Sequence, residues 1–386
     1  QGTVLARNYS AFTLEITPSR VDDLEATIDG LSKLIEVLPK DRKRFRRLLE
    51  ESKTFESLPI RSRLSEEEVA RFAANRYLFP GVEVKARLFR HYPEGSVGAH
   101  AIGYISRINK RDLEIIDEKE QTNNYKGTDH IGKSGVEQKY EFQLHGETGY
   151  EQVEIDAGGR AVRSLSRSAP VQGNNLTLTL DIKLQEMAEK AFGDRRGALV
   201  AIEPATGGIL ALVSVPTFDP NLFIDGIRSD DWDQLNNSPD KPLLNRALNG
   251  AYPPGSTFKP FMALAALETG KRTPGQAISD PGFFNFGGHQ FRDDKKGGHG
   301  SVDMHKSIVV SCDTYYYVLA NDMGIDAIAR FMGQLGFGQR TGIDIEGEST
   351  GVLPSPEWKK RRFRRPEQQK WFAGETISIG IGQGYN

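Results

Sequence analysis

The chain has 386 residues, 38% of them hydrophobic and 26% charged, with a formal net charge of -2. A mass of 42.9 kDa leaves material for two or three domains with buried cores, and near-neutrality gives nucleic-acid binding no basic field to work with. No apolar run reaches the roughly 18 residues of a membrane span, and the single cysteine, Cys312, excludes an internal disulfide without fixing the compartment.

The opening Gln1-Gly2-Thr3-Val4-Leu5-Ala6 reads as mid-chain sequence, with no signal peptide. Alternation at Thr13-Leu14-Glu15-Ile16 predicts a strand, followed by charged helices from Val21 to Leu34 and from Asp41 to Glu51. The basic run Arg42-Lys43-Arg44-Phe45-Arg46-Arg47 is flanked by acidic residues and reads as the solvated side of a helix. Ser65-Glu66-Glu67-Glu68 is a capping-box signature, Pro80-Gly81 stops the helix it opens, and Val82-Glu83-Val84 begins a strand. Texture changes between Ala169 and Asn175, where proline, glycine and asparagine mark a junction. We therefore expect two domains, 1–170 and 171–386. Beyond the junction, Leu176 to Leu180 alternates as a strand, and Lys183 to Phe192 has helical period. Two apolar strands, 197–202 and 209–213, surround a turn. A hairpin packed on a helix is an α+β arrangement.

Tyr252-Pro253-Pro254-Gly255-Ser256-Thr257-Phe258-Lys259 places a serine and a lysine three apart at a helix start, which runs on to a stop at Gly270. Positions i and i+3 share a face, so Lys259 is expected to reach the Ser256 hydroxyl. Pro260 is tolerated only near the start of a helix. A serine there sits among unpaired N–H groups at the positive end of the dipole, which suits a developing oxyanion. Read in isolation, Ser256 is an N-cap and Lys259 a solvated lysine. Downstream, Ser311-Cys312-Asp313 opens another helix, with Ser311 and Asp313 as an N-cap pair on the plain reading. Beside an upstream Ser-x-x-Lys, Ser311 could relay a proton, and Asp313 could hold Lys259 or orient a substrate amide.

With these stand Phe79-Pro80-Gly81-Val82-Glu83-Val84, Leu144-His145-Gly146-Glu147-Thr148-Gly149-Tyr150-Glu151, Leu178-Thr179-Leu180-Asp181 and Gly380-Ile381-Gly382-Gln383-Gly384-Tyr385. Over essentially its whole length the chain resembles the class B penicillin-binding proteins, monofunctional peptidoglycan D,D-transpeptidases. It is most similar to the penicillin-binding protein 2 group that serves elongation of rod-shaped cells. The resemblance implies an α+β transpeptidase-like domain, with an antiparallel sheet flanked by helices, preceded by an elongated mixed α/β pedestal and head.

It further implies Ser256 as acylated nucleophile and Lys259 as general base, with the Ser256 N–H as half of an oxyanion hole. Ser311 and Asp313 fall in an S-x-N or S-x-D motif. Stem peptides and β-lactams would be the ligands, with a glycan polymerase and other elongation proteins as partners of the N-terminal region. One membrane anchor would precede Gln1 and place the catalytic domain in the periplasm, against the inner membrane. The family's K-[ST]-G strand would follow Asn386, because neither Lys133-Ser134-Gly135 nor Arg340-Thr341-Gly342 can stand in for it.

The predicted reaction is acyl transfer, for which no cofactor is required. An uncharged Lys259 takes the Ser256 proton, Ser256 attacks the carbonyl between two terminal D-alanines, and an amine of a neighbouring stem releases the acyl group. Two other readings stay open at this point. One is a D,D-carboxypeptidase or β-lactamase-like hydrolase, in which water ends the cycle. The other is a non-catalytic scaffold that activates the polymerase.

A polar, glycine-rich loop also collects Asp280, Asp293, His299 and Cys312, a set of O, N and S donors that would suit tetrahedral Zn2+. The spacing matches no regular motif. The competing reading has loop hydrogen bonders around a small buried cysteine. The basic run from Lys359 to Arg365 reads as another solvated helix face.

Overall fold

The computed structural model describes residues 2–51, 56–155 and 161–385. The chain divides into two compact units, Gln1–Leu243 and Leu244–Asn386. Both combine helices with small antiparallel ladders, the α+β class expected.

In the first unit, Arg7–Ile16 is the central strand of three, flanked by Leu58–Leu64 and Val82–His91 and antiparallel to both. Helices Leu24–Leu31, Pro39–Glu51 and Glu66–Asn75 supply the core against it, with Leu14, Ile16, Ile28, Leu31, Phe45, Ile60 and Phe72 buried. Each such apolar side chain contributes about 1.5–3 kcal/mol of transfer free energy. The capping box forms as predicted: Ser65 Oγ accepts from Glu68 N–H at 3.1 Å, and Glu68 accepts from Ser65 N–H at 2.8 Å. Within the basic run Phe45 turns inward, while Arg42 and Arg46 pair with Asp29 and Glu25 at 2.7 and 2.9 Å on the outer side.

The hairpin Gly197–Ile202 and Ile209–Val215 packs on helix Ile182–Phe192. Gln185, wholly buried, exchanges hydrogen bonds with both backbone groups of Leu212 at 2.8 and 2.9 Å. The predicted strand Leu176–Leu180 is not one among the described residues. The segment bonds to the hairpin from Thr179 Oγ1 to Ile209 O (2.7 Å), with Asp181 N–H on Leu210 O (2.9 Å) just beyond it. Period-two alternation sets which face a side chain takes, and a ladder needs a neighbour in register as well. The helix and the segment just after the hairpin also bond to earlier residues, with Gly98 N–H on Glu189 at 2.9 Å and Thr217 Oγ1 on Ser96 O at 3.2 Å. Compactness and sequence texture thus divide the chain at different places.

In the second unit, helix Asp313–Met323 runs through the middle of the core and buries Tyr315, Tyr316, Tyr317, Leu319 and Ala320. Around it lie helices Lys259–Glu268, Ile325–Gln334 and Ala373–Ile379, with Met262, Ala265, Ile328, Met332 and Ile377 turned inward. Two short antiparallel ladders, Ile278–Asp280 with Gly300–Val302 and Phe283–Phe286 with His289–Arg292, pack beside it. No helix among the described residues is long and apolar enough to cross a membrane.

Glu15 is a buried charge in the first unit, 1% exposed, with Arg87 gripping both oxygens at 2.7 and 3.0 Å and Lys85 at 3.4 Å. Burial alone would raise this carboxyl, but bonds from Arg87 and Ser57 and the nearby positive charges hold it below its ordinary value. The contribution is therefore full above the unfolded pKa of about 4.3 and is lost as pH falls through the lower folded value. Glu15→Gln should cost about 1–2 kcal/mol at neutral pH, discounted because Arg87 is half exposed. Urea titrations of both proteins at several pH values should show this gap closing below about pH 4.

Candidate active site and metal centre

Gly255–Phe258 forms one 3-10 turn, and the α-helix Lys259–Glu268 follows directly, with Pro260 in its first turn. Ser256 sits on the exposed side of that turn, whereas Phe258 enters the core. Lys259 is 1% exposed. The predicted juxtaposition is present, but its wiring differs from the expectation of a direct Lys259–Ser256 bond. Lys259 Nζ donates to Ser311 O at 2.6 Å, to Ser311 Oγ at 3.0 Å and to Asp313 Oδ1 at 2.6 Å. An ammonium has three donors, and these acceptors take them. Ser311 Oγ in turn lies 2.9 Å from Ser256 Oγ, so the lysine reaches the exposed serine through a second hydroxyl. The Tyr316 ring adds a cation–π contact at 5.7 Å.

Ser311 can bridge because of where the backbone places it. Helix Met304–Val309 ends with Ser311 N–H on Ile308 O (3.2 Å) and Cys312 N–H on Ser307 O (2.9 Å), the paired bonds of a Schellman ending. The residue between those bonds is left-handed, and Ser311 holds φ 56° where glycine is usual. In that conformation its carbonyl and hydroxyl oxygens both reach Lys259. The plain reading of Ser311 and Asp313 as an N-cap pair is overturned, because the cap of the following helix is Cys312, whose Sγ accepts from Tyr315 N–H at 3.4 Å. Asp313 is the first residue of that helix, freed to face Lys259.

The four proposed metal donors converge. One ligand atom each from Asp280, Asp293, His299 and Cys312 lies within 4.8 Å of the others. His299 Nδ1 stands 2.9 Å from Asp280 and 3.4 Å from Asp293, and Cys312 Sγ is 3.5 Å from an oxygen of each. Ligand atoms ~2.0–2.3 Å from zinc would be about 3.3–3.8 Å apart, so small adjustments close the shell. Backbone N–H groups orient the carboxylates: Gly282 and His299 donate to Asp280 at 2.7 and 2.8 Å, and Thr314 to Asp293 at 2.7 Å. Burial pushes the Cys312 thiol far up, and the two carboxylates push it further. A cation is what would make a thiolate stable among them. The site admits no bulk on one side, since a Cβ on Gly298 would stand 2.1 Å from the Asp280 carbonyl oxygen.

The basic run from Lys359 needs a correction. Lys360, Arg361, Arg362, Arg364 and Arg365 are exposed as expected, but Lys359 is 4% exposed. Its ammonium donates to Lys370 O at 2.7 Å and pairs with Glu375. Sequence reasoning missed it because a charged run gives no sign of which member turns inward. The aromatic residues Trp371, Phe372 and Tyr385, around a glutamate, were the available signal.

Comparison with known proteins identifies the family of both parts of the chain. Residues 1–178 match the penicillin-binding protein dimerisation domain and residues 197–386 the penicillin-binding protein transpeptidase domain. A peptidoglycan D,D-transpeptidase MrdA of Acinetobacter baumannii is 47% identical over 99% of this chain. The chain spans 56% of that relative's length. PBP2 of Helicobacter pylori, solved in complex with MreC, is 30% identical, with a TM-score of 0.81 over 99% of this chain and 70% of that one. A structure on the coordination of polymerization and crosslinking by a peptidoglycan synthase complex is 29% identical, with a TM-score of 0.69 over 100% of this chain and 65% of that one. The chain therefore belongs to the penicillin-binding proteins that join a dimerisation domain to a transpeptidase domain, among relatives named PBP2 and MrdA.

Proposed function

We propose that the protein carrying this chain is a serine-type peptidoglycan D,D-transpeptidase that cross-links stem peptides during cell elongation and is acylated by β-lactams. The observation that carries this reading is the line Ser256–Ser311–Lys259–Asp313, which joins an exposed hydroxyl to a buried amine through a second hydroxyl. Ser256 is the nucleophile. With Lys259 uncharged, the Ser256 proton passes to Ser311 as the Ser311 proton passes to Lys259 Nζ. Ser256 Oγ then bonds to the carbonyl carbon between the two D-alanines, and the Ser256 N–H, within the 3-10 turn, would serve as a donor to the developing oxyanion. As the C–N bond breaks, the same relay returns a proton to the departing D-alanine nitrogen. An amine of a second stem attacks the ester, loses its proton along that route and regenerates Ser256. Asp313 holds Lys259 in place between the steps.

Residues 1–170 form the pedestal and head, and 171–386 belong to the transpeptidase domain. The dimerisation-domain match and the likeness to the MreC-bound relative favour elongation proteins, a glycan polymerase among them, as partners of the N-terminal part. The relatives' greater length leaves room for an anchor in the inner membrane, with the catalytic domain in the periplasm.

Asp280, Asp293, His299 and Cys312 would hold a structural Zn2+. The ion would supply no chemistry to the acyl transfer. It would fix the N-terminus of helix Asp313–Met323, through its cap Cys312 and through Asp293, which accepts from Thr314 N–H.

Fluorescent penicillin tests the reaction in the intact protein. Labelling should vanish in Ser256→Ala, and Lys259→Met should slow it by about 10²–10⁴-fold, the usual worth of a general base. Labelling that persists in Ser256→Ala would overturn the assignment, and an unlabelled but folded protein would favour the scaffold reading. Release of the label by water at the rate of amine-dependent transfer would favour the hydrolase.

Metal analysis of the purified protein should find about one zinc per chain, as a closed four-ligand site requires. Chelation or Cys312→Ala should lower the melting temperature. A metal-free protein whose melting chelators leave unchanged would retire the zinc.

A further inference from the structure

Lys359 lies outside the acylation line and is nevertheless built as tightly as Lys259. Its ammonium has the carbonyl of Lys370 at 2.7 Å and the Glu375 carboxylate as charge partner. The rings of Trp371, Phe372 and Tyr385 stand 5.7, 5.3 and 5.2 Å from it. Tyr385 donates its hydroxyl to the same Glu375 oxygen, and the other oxygen accepts from Phe372 N–H at 2.8 Å. Burial opposes the charge on Lys359, but Glu375 and Tyr385 outweigh it and hold its pKa above the ordinary lysine value. Glu375 is correspondingly held down. An ion pair surrounded by rings and further hydrogen bonds is a costly thing to bury, and it fixes whatever it joins. Here it joins helix Pro356–Arg362, the start of helix Ala373–Ile379 and Tyr385.

Between Glu375 and Tyr385 the chain runs through Gly380-Ile381-Gly382-Gln383-Gly384. Gly382 O accepts from Gly255 N–H at 3.0 Å. A Cβ on Gly382, whose φ is 68°, would come within 2.4 Å of Gly255 O, so the two backbones touch. Gly255 is the residue before Ser256 in the 3-10 turn. The loop is also pinned at Gly380, where a Cβ would meet Tyr316 O and Ala320 at 2.6 Å. The glycine loop is thus clamped between the serine turn at one end and the Lys359–Glu375–Tyr385 cluster at the other.

We propose that Lys359 is a positioning residue for Ser256, its buried ammonium holding Glu375 and Tyr385 so that the glycine loop sets Gly255, and hence the Ser256 hydroxyl, in register with Ser311. This rests on Ser256 being the acylated residue. Lys359 touches none of the reacting atoms, so its effect falls on the bond-forming step more than on ligand capture. Displacement of a nucleophile by about 1 Å can slow reaction by the order of 10²-fold.

Stopped-flow acylation of the intact protein by fluorescent penicillin, over a range of concentrations, separates the initial dissociation constant from the first-order acylation rate. Lys359→Met keeps the stem and removes the charge. It should lower the acylation rate by about 10–100-fold with the dissociation constant nearly unchanged. Lys359→Arg, which retains the charge, should recover most of the rate. Tyr385→Phe keeps the ion pair and loses only the hydroxyl, and should give a smaller drop of the same kind. If the folded fraction of Lys359→Met acylates at the unsubstituted rate, Lys359 merely stabilises the fold and the proposal falls. Should Lys359→Met fail to fold, an unsubstituted rate in Tyr385→Phe overturns it equally. Absence of Ser256 labelling in the unsubstituted protein sinks the acylation reading itself, and this inference with it.

Discussion

Lys259 Nζ lies out of solvent with three oxygen acceptors around it, and two of the three come from Ser311. A buried charge without partners is among the most expensive things a fold can contain. Helix Lys259–Glu268 and the Ser311–Asp313 turn are therefore bound to one another: the lysine tolerates its burial only where that turn is, and the turn keeps φ 56° at Ser311 with the lysine in front of it. An exposed serine then inherits its environment without being buried. Ser256 needs only to lie one helical turn before Lys259 and within 2.9 Å of the Ser311 hydroxyl.

The left-handed Ser311 explains why two helices meet where they do. Helix Met304–Val309 closes at Ser311, and Cys312 caps helix Asp313–Met323 in the next residue. A single αL residue turns the chain, with no loop between to loosen the geometry. The proposed metal donors gather on the far side of this link. Cys312 faces Asp280, Asp293 and His299, while its neighbours Ser311 and Asp313 face Lys259. One short segment thus presents alternate residues to two sites, because the left-handed Ser311 and the extended cap Cys312 turn successive side chains apart.

Much of this was legible in the sequence. The i, i+3 spacing of Ser256 and Lys259, the proline after the lysine and the capping box at Ser65 are local rules, and local rules survive tertiary context. The donor set Asp280, Asp293, His299 and Cys312 was legible by chemistry alone. What escaped was set by partners distant in sequence. Alternation over Leu176–Leu180 resembles any half-buried strand, and only a neighbour in register would have made a ladder of it. A cysteine is a poor candidate for an N-cap, so Ser311 looked like the cap. Nothing in a run of six basic residues and a phenylalanine marks Lys359 as the one that turns inward.

The two buried lysines show how the unit divides rigidity from chemistry. Lys259 reaches Ser256 through a hydroxyl, a group that can both give and take a proton, so its contacts can reverse direction. Lys359 is held by a carbonyl, a carboxylate and three rings, none of which can pass a proton onward to the serine. Among the described residues its Nζ has no hydroxyl acceptor on the path to Ser256, only the Lys370 carbonyl and the Glu375 carboxylate. Identical side chains thus take different parts because of what surrounds the ammonium. The glycine loop 380–384 carries the influence of the second toward the first. Glycine is required where it touches Gly255, because a Cβ on Gly382 would stand 2.4 Å from the Gly255 carbonyl oxygen in the serine turn.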